Sequence, residues 1–339
     1  MFTHTASLLS GLLALCVISS GRAEETPAQA KIVQAVNLSL PLLQKSLAEY
    51  PRHNNCFSCH HQGVPMFALS VAQKRGYPVD ERVMTAVVQQ TTTSLRSDLA
   101  NYNKGTGQPG GVTQAGYALM ALQSGGVKPE EITTVVTGYL LQKGKDKGFW
   151  STSSSRPPSE KSSFTDTFLA IYALKNYGEQ VQPESVKERI GLARKWLETT
   201  LTQETEDQVF QLWGMMEAGS DQAEIRKAVH TLLTAQNSDG GWAQLPKGES
   251  DAYATGSVLT VLRLTGSLPL TDAGYRHGIG YLLKTQMPDG SWRVVSRSKP
   301  FQPYFESGFP HGKDQFISMA ASAWATAALA LAAPAIDAK

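Results

Sequence analysis

Cys56, Cys59 and His60 stand together in the segment NNCFSCHHQG, which runs from Asn54 to Gly63. Two thiols three positions apart can add to the two vinyl groups of a haem, and a histidine directly after the second thiol can ligate the iron. The same thiols, together with histidine and a further side chain, can bind zinc. By themselves they can form a small disulfide in an oxidising compartment. The residue types therefore indicate one of three chemistries in this segment.

The arrangement resembles the c-type haem attachment motif, Cys-x-x-Cys-His. If an export signal is removed, Cys56 and Cys59 are the only cysteines left, because the third cysteine is Cys16. Two cysteines cannot staple a chain of this length, so the pair needs a local explanation. The resemblance implies haem c bound at Cys56 and Cys59 with His60 on the iron. Three side chains could supply the sixth ligand of that iron: His53, Met66 and His311.

The beginning of the chain favours export. Leu8 to Ser19 form an apolar run too short to span a bilayer, and Gly21-Arg22-Ala23 provides small residues for cleavage after Ala23. We therefore predict a signal peptide over 1–23 and a periplasmic or extracellular protein. The chain has 31 basic and 29 acidic side chains and no basic cluster, which disfavours nucleic acid and anionic membranes as partners.

Apolar residues recur at helical spacing along the rest of the chain, and the alternation typical of strands is absent. Breaks at glycine, proline and polar clusters predict twelve helices. They span 28–49, 64–76, 80–99, 112–124, 129–142, 163–177, 183–201, 205–218, 221–235, 251–265, 271–285 and 314–332. Several even-numbered helices are apolar or small on every side, and odd-numbered ones carry charge, which indicates an inner and an outer ring. Because the last helix is rich in alanine, we expect an inner helix there and no transmembrane span.

One unit repeats along the chain. KAVHTLLTAQNSDGGW ends at Trp242 and HGIGYLLKTQMPDGSW ends at Trp292, 50 positions later. A degenerate copy, LLQKGKDKGFW, ends at Trp150. Each unit closes an outer helix with Gln, makes a Gly turn that needs positive φ, and places Trp before the next inner helix. We interpret these tryptophans as structural residues that tie the loop to the end of the helix.

These units resemble the QW repeats of squalene–hopene cyclases and, more distantly, of protein prenyltransferase β subunits. The pattern Gly/Ala-x-x-(aromatic)-Leu-x-x-x-Gln-x-x-x-Gly-x-Trp is matched at Gly278–Trp292, and at Ala228–Trp242 apart from Thr231. The resemblance covers roughly 110–332 and implies an all-α fold, a single (α/α)6 toroid of about six helical hairpins over 24–339. Squalene–hopene cyclases have two toroids and hold their substrate between them, and nothing here predicts a second one.

The cyclases of that family protonate a polyene with a D-x-D-D motif at the start of an inner helix. Glu204-Thr205-Glu206-Asp207 stands at the same place, and Glu206 matches the proton-donating position. Such an acid must be kept neutral by burial. Because Glu206 is longer than the Asp of the motif, its proton would lie in a different place. Acidic residues also stabilise a helix N-terminus without any catalytic role. Glu206 and Asp207 are therefore the catalytic candidates, with helix capping as the structural alternative.

Prenyltransferases bind zinc with an Asp-x-Cys pair and a later His. Asp251 and His311 match the Asp and the His, but Tyr253 stands where the Cys is required. A zinc site would instead use the two thiols of the Cys-His segment. Its further ligands would come from His60, His61, His311 and Asp251. Because outer-to-inner loops of a toroid emerge at one end and the last hairpin meets the first, we expect His311 close to Cys59.

Three functions remain open, and the sequence does not decide whether the chain is an enzyme. The favoured function is that of an exported redox or binding protein. Such a protein would hold haem or a metal ion and would bind an apolar small molecule or a redox partner. The second is an isoprenoid (squalene-type) cyclase-like enzyme with Glu206 as the acid. The third is a structural repeat scaffold. The lack of a second toroid, the altered acid motif and the predicted export weigh against the cyclase.

Overall fold

The computed structural model describes residues 27–151, 153–300 and 303–334, and these ranges are almost entirely helical. The predicted signal peptide lies outside the described residues. The α-helices of the described ranges are α1 Pro27–Glu49, α2 Val64–Lys74, α3 Glu81–Ser97, α4 Leu99–Asn103, α5 Gly111–Ser124, α6 Glu131–Gln142, α7 Ser163–Tyr177, α8 Pro183–Thr199, α9 Thr205–Ala218, α10 Gln222–Thr234, α11 Ala252–Leu264, α12 Ala273–Thr285 and α13 Gln315–Ala332. Two short strands, β1 Trp242–Ala243 and β2 Ser250–Asp251, pair antiparallel.

The helices form two concentric rings. The inner ring consists of α2, α5, α7, α9, α11 and α13, in which each helix packs against the next and α13 packs against α2. The outer helices α1, α3, α6, α8, α10 and α12 pack against this ring, and their solvent-facing sides carry the exposed residues. The fold is therefore the closed, all-α (α/α)6 toroid that the sequence predicts.

All twelve predicted helices occur, and their ends lie within two residues of the predicted ones. Four kinds of short element were not predicted: the five-residue helix α4, a π-helical turn at Cys59–Gly63, 3-10 turns such as Gly312–Asp314, and the strand pair β1–β2. Segments this short contain too few residues to show a helical period, so hydrophobic patterning does not detect them.

Small residues let the inner helices approach closely. A Cβ atom added at Gly256 of α11 would lie 2.6 Å from the backbone nitrogen of Ala325, so α11 and α13 touch along their main chains. The hydroxyls of Ser39 and Thr326, 2.7 Å apart, join α13 to α1. Among the described residues, Gly312–Ala332 is the one helical segment long and apolar enough to cross a membrane, and most of it is buried in the ring.

The repeated Gln and Trp residues join neighbouring hairpins. The indole N–H of Trp242 and that of Trp292 each donate to a main-chain carbonyl ten residues earlier, at 2.7 and 2.9 Å. These bonds are the predicted ties between loop and helix end. The Gln286 amide donates to the Ala35 carbonyl in α1 at 2.9 Å, so the last repeat is bonded to the first helix.

The connections that lead from an outer to an inner helix meet at one end of the toroid, which we call the mouth. Contacts between distant connections show this meeting. The Ser298 hydroxyl donates to the Pro157 carbonyl at 2.9 Å, and the Arg297 guanidinium lies 2.9 Å from a Glu204 carboxylate oxygen. The segment with Cys56 and Cys59 is one of these connections, since it joins α1 to α2.

Candidate functional site

A cleft of about 750 Å³ lies at the mouth, and Cys56, Cys59 and His60 all line it. Phe57 and Phe316 contribute aromatic walls. Both cysteines are free thiols; Cys56 is exposed, whereas Cys59 is 2% exposed. The volume of the cleft lies in the range of about 300–1,000 Å³ that is usual for small-molecule and cofactor sites.

Side chains from neighbouring helices hold the loop that carries the thiols. The Gln114 amide of α5 donates to the Phe57 carbonyl at 2.6 Å and accepts a hydrogen bond from the Cys59 thiol at 2.9 Å. The Ser94 hydroxyl of α3 accepts from the Phe57 N–H at 3.2 Å. Within the loop, the Gln62 side chain accepts from the Ser58 N–H at 2.9 Å. The protein therefore holds the Cys59 thiol and the main chain between the two cysteines in place, as a preorganised site requires.

His60 is paired with a buried carboxylate. Its Nδ1 lies 2.8 Å from Oε1 of Glu160, which is 2% exposed and also forms an ion pair with Arg156. Burial alone would raise the pKa of Glu160, but the hydrogen bond to His60 and the charge of Arg156 outweigh it and keep that pKa below its usual value. A carboxylate on one imidazole nitrogen is the usual support of a histidine that ligates a metal through the other nitrogen.

The other zinc-ligand candidates have structural partners. His61 is buried with its Nε2 3.0 Å from the Ser46 hydroxyl, and burial lowers its pKa to about 3, so the ring is neutral. Asp251 caps α11 by accepting from two main-chain N–H groups, at 2.8 and 3.0 Å. His311 has a positive φ and its Nε2 lies 2.8 Å from the Ser291 hydroxyl. Within the described ranges, no three His, Cys, Asp or Glu side chains are grouped to hold a metal ion.

The loop before α13 lies against the connection between α1 and α2, which carries Cys56, Cys59 and His60. The ring of Phe316 meets the rings of His60 and His61 edge-on, with centroids 5.5 and 5.6 Å apart. The Ser307 carbonyl accepts from the Ser46 hydroxyl at 2.9 Å. Phe316 is the second residue of α13, and Ser46 lies in α1. The loop before α13 itself meets the connection between α1 and α2 where the ring of Phe305 stacks on His53, with centroids 5.5 Å apart. His311 does not line the cleft.

The acidic segment at the start of α9 divides into two roles. Glu204 and Asp207 form a capping box, in which Asp207 accepts from the Glu204 N–H at 3.1 Å. Glu204 also pairs with Lys161 and Arg297 at the surface of the mouth. These two residues therefore account for the capping interpretation, and they leave Glu206 outside the cap.

Glu206 points into the protein from the first turn of α9 and is buried. Its Oε1 accepts from the Thr165 hydroxyl at 3.0 Å and from the Tyr253 hydroxyl at 3.4 Å, and its Oε2 has no partner within the described residues. Burial raises the pKa of this carboxyl to about 8, against which the two hydrogen bonds act only weakly. Glu206 is therefore protonated at neutral pH, the state that a proton donor needs.

Asp166 is a second buried carboxyl, which the sequence analysis did not single out. It lies in the first turn of α7 beside the Thr113 hydroxyl, with neither carboxyl oxygen in good hydrogen-bonding geometry in the described part of the chain. Burial raises its pKa to about 7. The signal in the sequence is an acidic residue in a helix that is otherwise apolar or small, SFTDTFLAIYAL.

Aromatic rings pack in the centre of the inner ring. Phe67 of α2, Phe168 of α7, Trp213 of α9 and Trp324 of α13 are all buried. The centroids of neighbouring rings in this group are 4.2 to 6.3 Å apart. Helices on opposite sides of the toroid therefore meet through these side chains.

Glu160 and Gln114 were also missed by the sequence analysis. Each lies far along the chain from the thiols, at 100 residues from His60 and 55 residues from Cys59 respectively. Their types are ordinary for a loop and for a helix. Only their position after the ring has closed makes them part of the site.

No protein-family model matches the sequence, and no curated protein matches it. Solved structures do match. The type II terpene cyclase MstE from Scytonema is similar over 91% of this chain and 100% of its own, with a TM-score of 0.52 and 15% identity. This protein has a terpenoid-cyclase-type toroid fold.

Two further structures share the fold. A protein from Actinoplanes is similar over 89% of this chain and 99% of its own, with a TM-score of 0.56 and 15% identity. A possible member of the GH105 family from Klebsiella pneumoniae is similar over 95% and 98%, with a TM-score of 0.52 and 11% identity. Because differently named families share this toroid, the fold does not determine the function.

The match to MstE corrects one expectation. A variant of MstE has been solved with its substrate, geranylgeranyl dihydroxybenzoate, and this chain is similar over 99% of that chain. A chain of about this size thus suffices for that terpene cyclase. The expectation that a cyclase of this fold needs two toroids therefore does not hold for MstE.

Proposed function

We propose that this terpenoid-cyclase-type toroid is an exported redox protein that binds haem c in the mouth cleft through Cys56, Cys59 and His60. One observation carries the proposal: a single cleft of about 750 Å³ is lined by both thiols and by a histidine whose Nδ1 is held by Glu160. The predicted signal peptide agrees with it, since c-type haem is attached to exported chains.

The residues of the cleft fit the group chemically. The thiols would form thioether bonds to the vinyl groups, and Cys59 would then release its hydrogen bond to Gln114. Glu160 would fix the orientation of the His60 ring, and Nε2 of His60 would ligate the iron. Phe57 and Phe316 offer apolar surface to the macrocycle. When bound, haem supplies one-electron redox chemistry.

The test is a visible spectrum after pyridine treatment of protein produced in a periplasm with haem maturation active. We expect the spectrum of a covalently attached haem in the wild type and its loss in the Cys56→Ala/Cys59→Ala double variant. His60→Ala should alter the spectrum before pyridine is added, because the iron loses its ligand. His230→Ala, at an exposed position of α10, is the matched control and should leave the spectrum unchanged.

A colourless wild type would overturn the haem proposal. Metal analysis and thiol titration would then distinguish the two remaining chemistries of the segment. Bound zinc with two protected thiols would indicate a metal site, whereas the loss of both free thiols without metal would indicate a Cys56–Cys59 disulfide.

Acid-catalysed isoprenoid cyclisation is the second candidate, and the state of Glu206 favours it. A buried carboxyl with a pKa of about 8 and an unpartnered Oε2 could donate a proton to a carbon–carbon double bond. It ranks second because Phe168, Trp213 and Trp324 pack against one another in the centre of the ring. A polyene would have to displace these rings to reach the toroid interior.

The cyclase candidate is tested by incubation with squalene and with geranylgeranyl-bearing phenols, followed by product analysis. Cyclic products from the wild type that disappear in Glu206→Gln would support this function. Glu224→Gln, at a salt-bridged site on the outer helix α10, is the control. Equal product from wild type and Glu206→Gln would exclude Glu206 as the acid.

A further inference from the structure

We propose that the mouth carries a second binding site, which takes an apolar molecule with an anionic head group such as a carboxylate. This site is a pocket that adjoins the cleft and shares His60, Arg156 and Phe316 with it, and we call it the side pocket. Neither Cys56 nor Cys59 lines the side pocket. The inference therefore goes beyond the proposed haem attachment and does not depend on it.

The side pocket has a volume of about 420 Å³, within the range of about 300–1,000 Å³ that is usual for small-molecule sites. It lies between the connection before α7 and the connection before α13. Pro157 lines it from the first connection, and Val295 and Tyr304 line it from the second. Phe316 and Ile317 line it from the start of α13. Three separate parts of the chain therefore form its apolar walls.

Two of these apolar side chains are open to solvent. Val295 is 64% exposed, and Tyr304 is 56% exposed. Exposed apolar side chains that stand singly are common, but contiguous ones usually mark a binding site. Because both side chains line the same pocket as Phe316, a hydrocarbon ligand in it would remove contiguous apolar surface from water.

Hydrogen bonds hold the walls of the side pocket together without a ligand. The Ser298 hydroxyl donates to the Pro157 carbonyl at 2.9 Å, which joins the two connections. The Ser298 N–H donates to the Ser296 hydroxyl at 3.2 Å, and the Ser296 N–H donates to Asp314 at 3.0 Å. The pocket is therefore already formed, so a ligand does not have to order these segments when it binds.

Most charges around the side pocket are compensated by the protein itself. Arg156 forms an ion pair with Glu160. Asp314 is buried, and its carboxylate lies 3.3 Å from the guanidinium of Arg293. Glu306 lies outside the lining of the pocket. In the described part of the chain, no unpaired carboxylate therefore lines the pocket.

Lys299 and Lys313 remain without compensation. Both are exposed and line the side pocket, and neither ammonium group forms an ion pair with a described residue. An ammonium group donates a charge-assisted hydrogen bond to a carboxylate, which is stronger than a neutral one. Anionic membrane surfaces are bound by clusters of about four to eight Lys or Arg residues. Two lysines beside an apolar wall therefore favour a single small molecule with an anionic head group.

The test measures the affinity of the full mature chain for dodecanoate by isothermal titration calorimetry, at concentrations below those at which dodecanoate forms micelles. Dodecyltrimethylammonium, which has the same hydrocarbon chain and the opposite charge, is the matched probe. We expect one dodecanoate bound per chain and at least tenfold weaker binding of the cation.

Variants of the lining locate the binding. Lys299→Gln and Lys313→Gln should each weaken dodecanoate binding about two- to fivefold, the range for exposed ion pairs. Lys284→Gln, at an exposed position of α12, is their control and should leave the affinity unchanged. Val295→Asp should weaken binding at least tenfold, because it places a carboxylate at the apolar wall. Leu270→Asp, at an exposed leucine between α11 and α12, is its control.

The outcomes separate this inference from the haem proposal. Equal affinities for dodecanoate and dodecyltrimethylammonium, or an unchanged affinity in both lysine variants, would overturn the side pocket as an anion site. Haem-loaded protein that does not bind dodecanoate would overturn this inference while haem attachment stands. Protein that carries no haem and still binds dodecanoate in the expected pattern would support this inference and overturn the haem proposal alone.

Discussion

The surroundings of the buried carboxyl groups near the mouth decide whether each group is ionised or neutral. Glu160 faces His60 and Arg156, which keep it ionised although it is buried. Glu206 and Asp166 have no cation among their described hydrogen-bond or ion-pair partners, and burial raises their pKa values to about 8 and about 7. The partner of each carboxyl thus decides its charge, as expected where water is excluded.

This difference predicts how stability depends on pH. Because the folded pKa values of Glu206 and Asp166 exceed the unfolded ones of 4.5 and 3.8, the stability they provide is complete at acidic pH and is lost as the pH rises through 7 and 8. Urea denaturation should show the free energy of unfolding falling between pH 5 and pH 9, on the order of 3 kcal/mol per group. Glu206→Gln should remove the share of Glu206.

Glu224→Gln is the matched control for this measurement, since Glu224 lies near the surface and pairs with Lys227. It should leave the fall between pH 5 and pH 9 unchanged. The same fall in Glu206→Gln as in the wild type would show that Glu206 is already ionised at pH 5 in the folded protein.

At the residue scale, sequence reasoning found the side chains that stand next to one another in the chain. Cys56, Cys59 and His60 could be predicted because their chemistry depends on their spacing. Glu160 and Gln114 could not be predicted, because their roles depend on contacts with residues 100 and 55 positions away in the chain. Phe316 was missed for the same reason.

Helical hairpins and the turns between them are the elements that bring these connections together. The predicted helices were accurate because every hairpin buries its apolar side chains in the same way. The apolar periodicity and the Gly–Trp turns therefore recur in each repeat of the sequence. The π-helical turn at Cys59–Gly63 shows no such period. Its conformation is held by partners from elsewhere in the chain such as Gln114 of α5, which accepts from the Cys59 thiol at 2.9 Å.

The glycine turn of the last repeat predicts a test of ring closure. Gly290 has a φ of +89°, and a Cβ added there would lie 2.4 Å from the Leu38 carbonyl of α1. Gly290→Ala should therefore lower the free energy of unfolding through both backbone strain and a clash with the first helix. Gly266 has a φ of +65° with open space around it, so Gly266→Ala should cost only the strain, about 1–2 kcal/mol.

Thermal or urea unfolding of the two variants gives the comparison. We expect Gly290→Ala to be less stable than Gly266→Ala by about 2 kcal/mol or more, in the range of severe core substitutions. Equal losses in the two variants would mean that the turn of the last repeat does not press against α1, and that the ring is open at this point.

The whole molecule explains why a Cys-His loop can have a function in a toroid. Closure of the ring brings the connections before α2, α5 and α7 to one mouth, where they share the cleft with Phe316 of α13. The fold is similar to that of the type II terpene cyclase MstE. Its centre is packed with aromatic rings, whereas the cleft with both thiols lies at the mouth. We therefore propose that the mouth, rather than the interior, carries the chemistry.

The mass of the tryptic peptide 53–74, from protein matured in a haem-attaching periplasm, tests haem attachment at the mouth most directly. Trypsin releases this peptide after Arg52 and Lys74, and it contains both thiols. We predict that it carries the added mass of one haem, and that the same peptide from protein made without haem maturation does not. A peptide with two unmodified thiols, or one lighter by two hydrogens because of a disulfide, would contradict haem attachment at Cys56 and Cys59.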